Sequence, residues 1–399
     1  VFAAFPFTRD VNSLTSIVGQ KFIDLPRKLT EENDMNKDPI LDIHCRHLAD
    51  LVSEDNFEPP RLHPHDISPW LAMSLMQKAI RRGDIPYALR SAATLLESSP
   101  ERLWRRLCVT AFEDIGVADT ETVSLVMAGL SGKYWRSRNG GDWRIASYLV
   151  RRMAQAVKCR SADDLAYIAE RHPDFEADRL RLPFEPIPKL LDIVISTAPL
   201  PERALALWYA IGTHRCRSDI LRTRKGDPHG VLDALCDLGF PESLIEVSRS
   251  SLAKCGEILV PFVPLLWREL QTSARTVEEI SLPRSETIGD IPAYAYDMHT
   301  REGKQAIGLF LKRRSDTGRW LKELSPPAKR SALLGHMIFR IESACLDRRL
   351  RWETGDKLWS MSDVELQGYR AEDMTEGLRL LQNDLPLLNE ARRRIAGGM

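Results

Sequence analysis

Cations interleaved with aromatic rings are the residues best suited to chemistry in this sequence, and the chemistry they suit is nucleic-acid binding. Between Ser131 and Arg144 the chain reads SGKYWRSRNGGDWR, which brings Lys133, Tyr134, Trp135, Arg136, Arg138, Trp143 and Arg144 together around Gly140 and Gly141. Phosphates need cations, and unstacked bases gain ~1–3 kcal/mol each from aromatic faces, so the combination fits a single strand. A second basic segment, with Arg215, Arg217, Arg222, Arg224 and Lys225 beside Gly226, can add phosphate contacts if it lies on the same face. The competing reading has both tryptophans anchoring the first loop to the core while the arginines stay solvated.

Other constellations carry less. His44, Cys45 and His47 are crowded, with His63 and His65 nearby, but H-C-x-H on a helix turns Cys45 away from the histidine pair. No second ligand pair has a zinc-like spacing, so no metal is expected. The run Gly129 to Tyr134 lacks both the glycine spacing of a phosphate loop and the Ser or Thr after Lys133 that would hold magnesium. There is no G-x-S-x-G nucleophile motif. Tyr294, Tyr296, Asp297, His299, Thr300 and Arg301 could form a small active site, although such a string more often caps the helix that follows and closes a domain junction. Gln305 to Phe310 is similar to the short Gln-to-Leu-Phe peptides that dock into sliding clamps, yet Ile307, Phe310 and Leu311 also fit the buried side of an amphipathic helix, and that reading is favoured. No cofactor and no small-molecule substrate are expected.

The elements that must position these groups are helices. Apolar residues recur at three and four almost throughout, and period-two runs of β-branched residues hardly occur, so the fold class is all-α: a multi-helix bundle or a solenoid-like array. One helix is expected from Pro39 to Val52 within an irregular arm, residues 1–66. A main helical domain, 67–280, follows. Ser68 and Pro69 open a helix stopped by Gly83, Asp84 can cap the next, and Ser99 with Pro100 start a third. Asp119 reads as the N-cap of the helix carrying Val123, Val126 and Leu130. Further helices are expected at about 142–158, 161–171, 187–197, 201–212, 229–238, 241–253 and 257–274. SLPRSETIGDIPAYAYD reads as a linker into a C-terminal helical domain, 281–399, with four helical segments.

Composition bounds the function classes. The 399 residues include 56 Lys plus Arg against 56 Asp plus Glu, so a globally basic nucleic-acid binder is excluded and any affinity must come from local patches. Seven scattered cysteines, with no C-x-x-C pair, read as reduced thiols of a cytoplasmic protein. The longest apolar run, near Ile258 to Trp267, is interrupted by Pro261 and Pro264 and falls short of the ~20 residues that cross a bilayer. The opening VFAAFPF is too short for a signal-peptide core and is expected to pack on something.

Within His65 to Val123 a helix ends in Arg81-Arg82-Gly83-Asp84, an Ala/Leu-rich helix follows, and an Arg-Arg-Leu helix runs into Glu113-Asp114-Ile115-Gly116 and Ala118-Asp119. This stretch resembles the helical region that follows the ATPase core in the replication-associated recombination protein A family, the bacterial clamp-loader-like AAA+ group. The resemblance covers about 60 residues, and its distinctive part is EDIGxAD. In that family the region is a collar that mediates oligomerisation, so the resemblance implies an interaction module, without the ATPase core. Read physically, Glu113 and Asp114 sit where a helix dipole disfavours carboxylates, so they should serve a specific contact. That contact is either an arginine or amide within the chain or a salt bridge to another subunit, which makes Glu113, Asp114 and Asp119 the candidate interface residues. The expectation overall is a non-catalytic accessory protein of DNA replication or repair. It binds a protein partner or a second copy of itself, and single-stranded DNA through Lys133, Trp135, Arg136, Arg138, Trp143, Arg144, Arg222, Arg224 and Lys225. A protein-only adaptor encoded by a mobile element or phage-related locus, and a helical enzyme using Asp297 to Arg301, are the alternatives.

Overall fold

Each turn of this chain is punctuated by a small set of residues, and the helices between them share two cores. The computed structural model describes residues 39–55, 58–363 and 371–397; the apolar opening VFAAFPF lies outside them. Nineteen α-helices and four short strands make up the described chain, which is the all-α fold. No described helix is long and apolar enough to cross a membrane.

The first core is built by α1 (Pro39–Glu54), α2 (Pro69–Arg81), α3 (Ile85–Ser98), α4 (Pro100–Thr110), α5 (Thr120–Gly129), α6 (Lys133–Arg138), α7 (Gly141–Gln155), α8 (Ser161–Arg171), α10 (Ile187–Ile195), α11 (Leu200–Ile211), α12 (Pro228–Asp237), α13 (Glu242–Cys255) and α14 (Leu259–Gln271), while the short α9 (Glu176–Arg181) buries no side chain in it. Ser68 caps α2 by accepting the Leu71 amide at 3.2 Å, and Asp119 caps α5 by accepting the Thr122 amide at 2.9 Å. Asp84 stands at the N-cap position of α3, but its carboxylate is not aimed squarely at the first amides. It also accepts the Tyr294 hydroxyl at 3.1 Å, a contact made from 210 residues away. The helix α1 is no free arm, because Cys45, Leu48 and Val52 are buried in this core against α5 and α13.

After α14 the chain forms β1 (Arg275–Glu279), β2 (Thr287–Ile288) and β3 (Ile291–Pro292). The segment that reads as a linker is in large part interior. Ile288, Ile291, Tyr294 and Tyr296 are buried in the first core, because a Gly-centred turn at 289 folds β2 back on β3. The second core belongs to α15 (Arg301–Leu311), α16 (Asp316–Leu324), α17 (Pro327–Ile338) and α19 (Ala371–Ala396). Ile307 and Phe310 are buried here, as an amphipathic helix requires, rather than displayed as a docking peptide. Between α17 and α19 the chain returns to the first core. There β4 (Arg348–Trp352) pairs antiparallel with β1 and makes a parallel bridge to Lys158, and α18 (Glu353–Asp363) lies against α8.

Candidate nucleic-acid interface

The first basic segment is not a loop. Lys133 to Arg138 form the short helix α6, and α7 begins at Gly141, so side chains that look adjacent in sequence point to opposite sides. Arg136 is buried: its guanidinium bonds Asp142 at 2.6 Å and the Gly129 carbonyl at 3.0 Å and lies 4.1 Å above the Trp104 ring. Arg144 donates to the carbonyls of Val52 and Asp55, and Trp143 to that of Pro60, so both fasten the end of α1 and the connector after it. Trp135 packs against the core. The structure thus withdraws Trp135, Arg136, Trp143 and Arg144 from the expected interface, because their polar atoms or faces are spent inside the chain. What remains at the surface is Lys133, Tyr134 and Arg138. Tyr134 is 74% exposed, and Arg138 sits 5.7 Å from its ring centre while donating to its hydroxyl at 3.1 Å.

The second segment, residues 212–227, is irregular and folded back on itself. Thr213 Oγ1 donates to the Arg222 carbonyl at 2.8 Å and accepts the Arg224 amide at 2.7 Å, and the Asp227 amide reaches the Ala210 carbonyl at 2.9 Å. The irregular backbone of this short arch gives Arg222 and Arg224 different surroundings. Arg224 turns inward and donates to the carbonyls of Leu182, Pro183 and Glu185, so it anchors the arch and is also withdrawn. Arg222 is exposed and lies 4.5 Å over the ring of Phe184, itself 67% exposed, with Lys225 exposed nearby in sequence. Phe184 escaped the sequence reading because it lies 38 positions before Arg222, and only the packing of the 182–185 turn on α11 brings them together. The two basic segments rest on different supports, α7 for the first and α11 with the 182–185 turn for the second.

Glu113 and Asp114 occupy a π-helical turn, Ala111–Ile115, that ends α4, and both are buried within the chain. Arg81 of α2 reaches Glu113 at 2.6 Å and Asp114 at 2.7 Å and donates to the Ser343 carbonyl of a second π-helical turn, Phe339–Ser343. Arg160 approaches Asp114 at 3.0 Å, Gln77 donates to the other Asp114 oxygen at 3.0 Å, and Arg81 and Arg160 lie 5.6 and 5.5 Å from the Phe339 ring centre. The expected intersubunit role of Glu113 and Asp114 is therefore corrected, since both carboxylates are enclosed within the chain: both Asp114 oxygens and Glu113 Oε1 are bonded there, while the buried Glu113 Oε2 has no hydrogen-bond partner among the described residues. Burial lifts the Asp114 carboxyl above its ordinary range, and the two guanidiniums only partly offset this. Gly116 explains the end of the motif. Its φ of +50° suits glycine, and a Cβ there would come within 2.9 Å of the Cys159 carbonyl while the Cys159 amide bonds the Asp114 carbonyl at 2.8 Å. Asp119, the third interface candidate, is half-buried and serves as the α5 cap.

The remaining polar candidates make their contacts within the chain. Asp297 is fully buried, its carboxylate 2.7 Å from the Lys78 ammonium and accepting the His299 amide at 2.9 Å. Lys78 holds that carboxyl below its usual range, and burial lowers the lysine to about 8. Burial also lowers His299, which is edge-on to Phe339, to about 4, so it stays neutral at physiological pH. Thr300 caps α15 by accepting the Gly303 amide at 3.0 Å. Near the N-terminal end of the described chain, Cys45 turns to Ser131 at 3.0 Å while His47 meets Glu121 at 3.0 Å and His65 meets Asp290 at 3.2 Å, so these side chains diverge. Among the described residues no group of three or more His, Cys, Asp or Glu side chains is arranged to hold a metal ion. Comparison with protein-family models, with curated proteins and with solved structures returned no match for this chain.

Proposed function

We propose that the protein is a non-catalytic helical accessory factor of DNA replication, recombination or repair that acts in the cytoplasm and holds single-stranded DNA through two small cation–aromatic patches. One observation carries this reading. On each basic segment an exposed arginine lies beside an exposed aromatic ring, Arg138 with Tyr134 of the same helix and Arg222 with Phe184 of the neighbouring turn. A ring faces a base and its neighbouring cation meets the phosphate, which is the pairing that sequence-tolerant strand binding uses. The resemblance of His65 to Val123 to a clamp-loader-like collar supplies the process. A buried acidic π turn clamped by Arg81 would give such a collar a rigid frame.

The test is binding of a fluorescent oligothymidylate across a salt series. If Lys133, Arg138, Arg222 and Lys225 each neutralise one phosphate, the slope of log K against log salt is about −3, and Lys133→Ala with Arg138→Ala lowers its magnitude by about 1.4. Failure to bind at low salt, or a slope unchanged by that pair of substitutions, overturns the reading. A protein-only adaptor is the second reading, favoured by the exposed apolar side chains Leu180, Phe184 and Ile220 around the second patch. A salt-insensitive complex containing protein alone would support it.

A further inference from the structure

Among the described residues the strand β1 has one open edge. Its inner edge pairs with β4 in the register Thr276 to Arg351, Val277 to Leu350 and Glu278 to Arg349. The Leu350 amide and the Arg348 carbonyl are used on the far side of β4, by Lys158, so it is Arg349 and Arg351 whose main-chain groups face β1. Their partners Glu278 and Thr276 therefore point inward, as does Ile280, whose amide bonds the Asp347 carbonyl at 2.7 Å. The amides and carbonyls of Arg275, Val277 and Glu279 point outward, and no further strand pairs with them among the described residues. All five residues of β1 are exposed. Unprotected edges of this kind are templates for another strand.

We propose that the occupant of this edge is β1 of a second copy of the chain, paired antiparallel about a twofold axis through Val277. The argument is one of register and charge. Only odd-numbered residues present main-chain groups outward, so the hydrogen-bonded positions of a symmetric pair must join odd to odd. Centring on Val277 sets Val277 against Val277 and Arg275 against Glu279 twice, giving about six main-chain bonds with opposite charges directly across from each other. Centring on Glu278 sets Glu278 against its own copy, and centring on Thr276 sets Val277 against Arg275, so neither neighbouring register is complementary. On the same face as Val277 lies a cavity of about 540 Å³ lined in part by Asp119, Trp267, Leu270 and Leu350, which leaves room for the incoming Val277 side chain. A five-residue strand pair is small against the ~1,200–2,000 Å² of a stable interface, so the dimer is weak and concentration-dependent.

This inference is independent of DNA binding and is tested on the full chain by sedimentation velocity over a range from about 1 to 300 μM. The expected result is reversible dimerisation within that range. Arg275→Glu and Glu279→Arg should each weaken it about tenfold, and the double reversal should return it to within about threefold of the parent. Val277→Pro removes an outward amide and no bond to β4, so it should leave the circular dichroism and thermal midpoint near the parent while abolishing the dimer. A monomer at every concentration overturns the proposal. So does a dimer that the single reversals leave intact, or one that the double reversal fails to rescue.

Discussion

Replacing Arg81 by methionine removes the cation that serves both carboxylates of the π turn while keeping most of the side-chain volume. Arg81 gives up contacts to Glu113 at 2.6 Å and Asp114 at 2.7 Å, all within a buried site. Removing one partner of a buried pair costs about 3–5 kcal/mol, because the other charge is left desolvated. Arg160 stays 3.0 Å from Asp114 and 3.6 Å from Glu113, which places the loss near the lower bound, about 3 kcal/mol. The assay is urea unfolding of parent and variant at pH 7 and again near pH 4.5. The sign of the pH effect follows from Asp114, whose folded carboxyl is raised by burial above its unfolded value. The native state then holds more protons than the unfolded chain across that window, so stability falls as pH rises through it. Loss of Arg81 lifts the carboxyl further and steepens the fall, so the deficit is largest at pH 7 and shrinks toward pH 4.5. Asp114→Asn, which keeps an acceptor for Arg81, should cost less and flatten the dependence. A deficit below about 1 kcal/mol at pH 7, or one equal at both pH values, would refute the idea that this charge cluster holds the two π turns together.

Two smaller predictions use the interior. A thiol reagent followed by mass spectrometry should label Cys236 and Cys345 first, since Cys45, Cys108, Cys159, Cys216 and Cys255 are buried. Burial also raises the Cys159 and Cys216 thiols and keeps them protonated, so early labelling of either would contradict the packing. Gly303→Ala would place a methyl carbon 1.9 Å from the Asp297 carbonyl oxygen, a clash with backbone, and should lower the thermal midpoint more than Thr300→Ala, which removes a cap and the hydroxyl's bond to the Asp297 carbonyl, about 1 kcal/mol each. Equal losses for the two would show that the turn relaxes freely.

The helices were legible because apolar periodicity and capping chemistry are local. The expected helices at 161–171, 201–212 and 241–253 stand at Ser161–Arg171, Leu200–Ile211 and Glu242–Cys255. The site was less legible, for a physical reason. Whether an arginine meets solvent or a carbonyl depends on which groups lie across the fold from it, and Arg136, Arg144 and Arg224 differ from Arg138 and Arg222 only in that respect. The second partner of Asp84 was hidden for the same cause, since Tyr294 reaches it from the segment that looked like a linker. Prolines and glycines mark turns, but they do not say whether the residues flanking a turn lie inside or outside, and the burial of Ile288 and of Ile291 to Tyr296 on either side of an exposed Gly289 shows the difference.

Because β4 and α18 leave the helices around them and lodge against Lys158 and α8, the polypeptide is laced through both of its interiors. Mechanical load or a protease nick anywhere from 345 to 363 would be felt in both halves at once. Through β4 and α18, the carboxy-terminal helices are thus fastened to the first interior as a buckle fastens a belt.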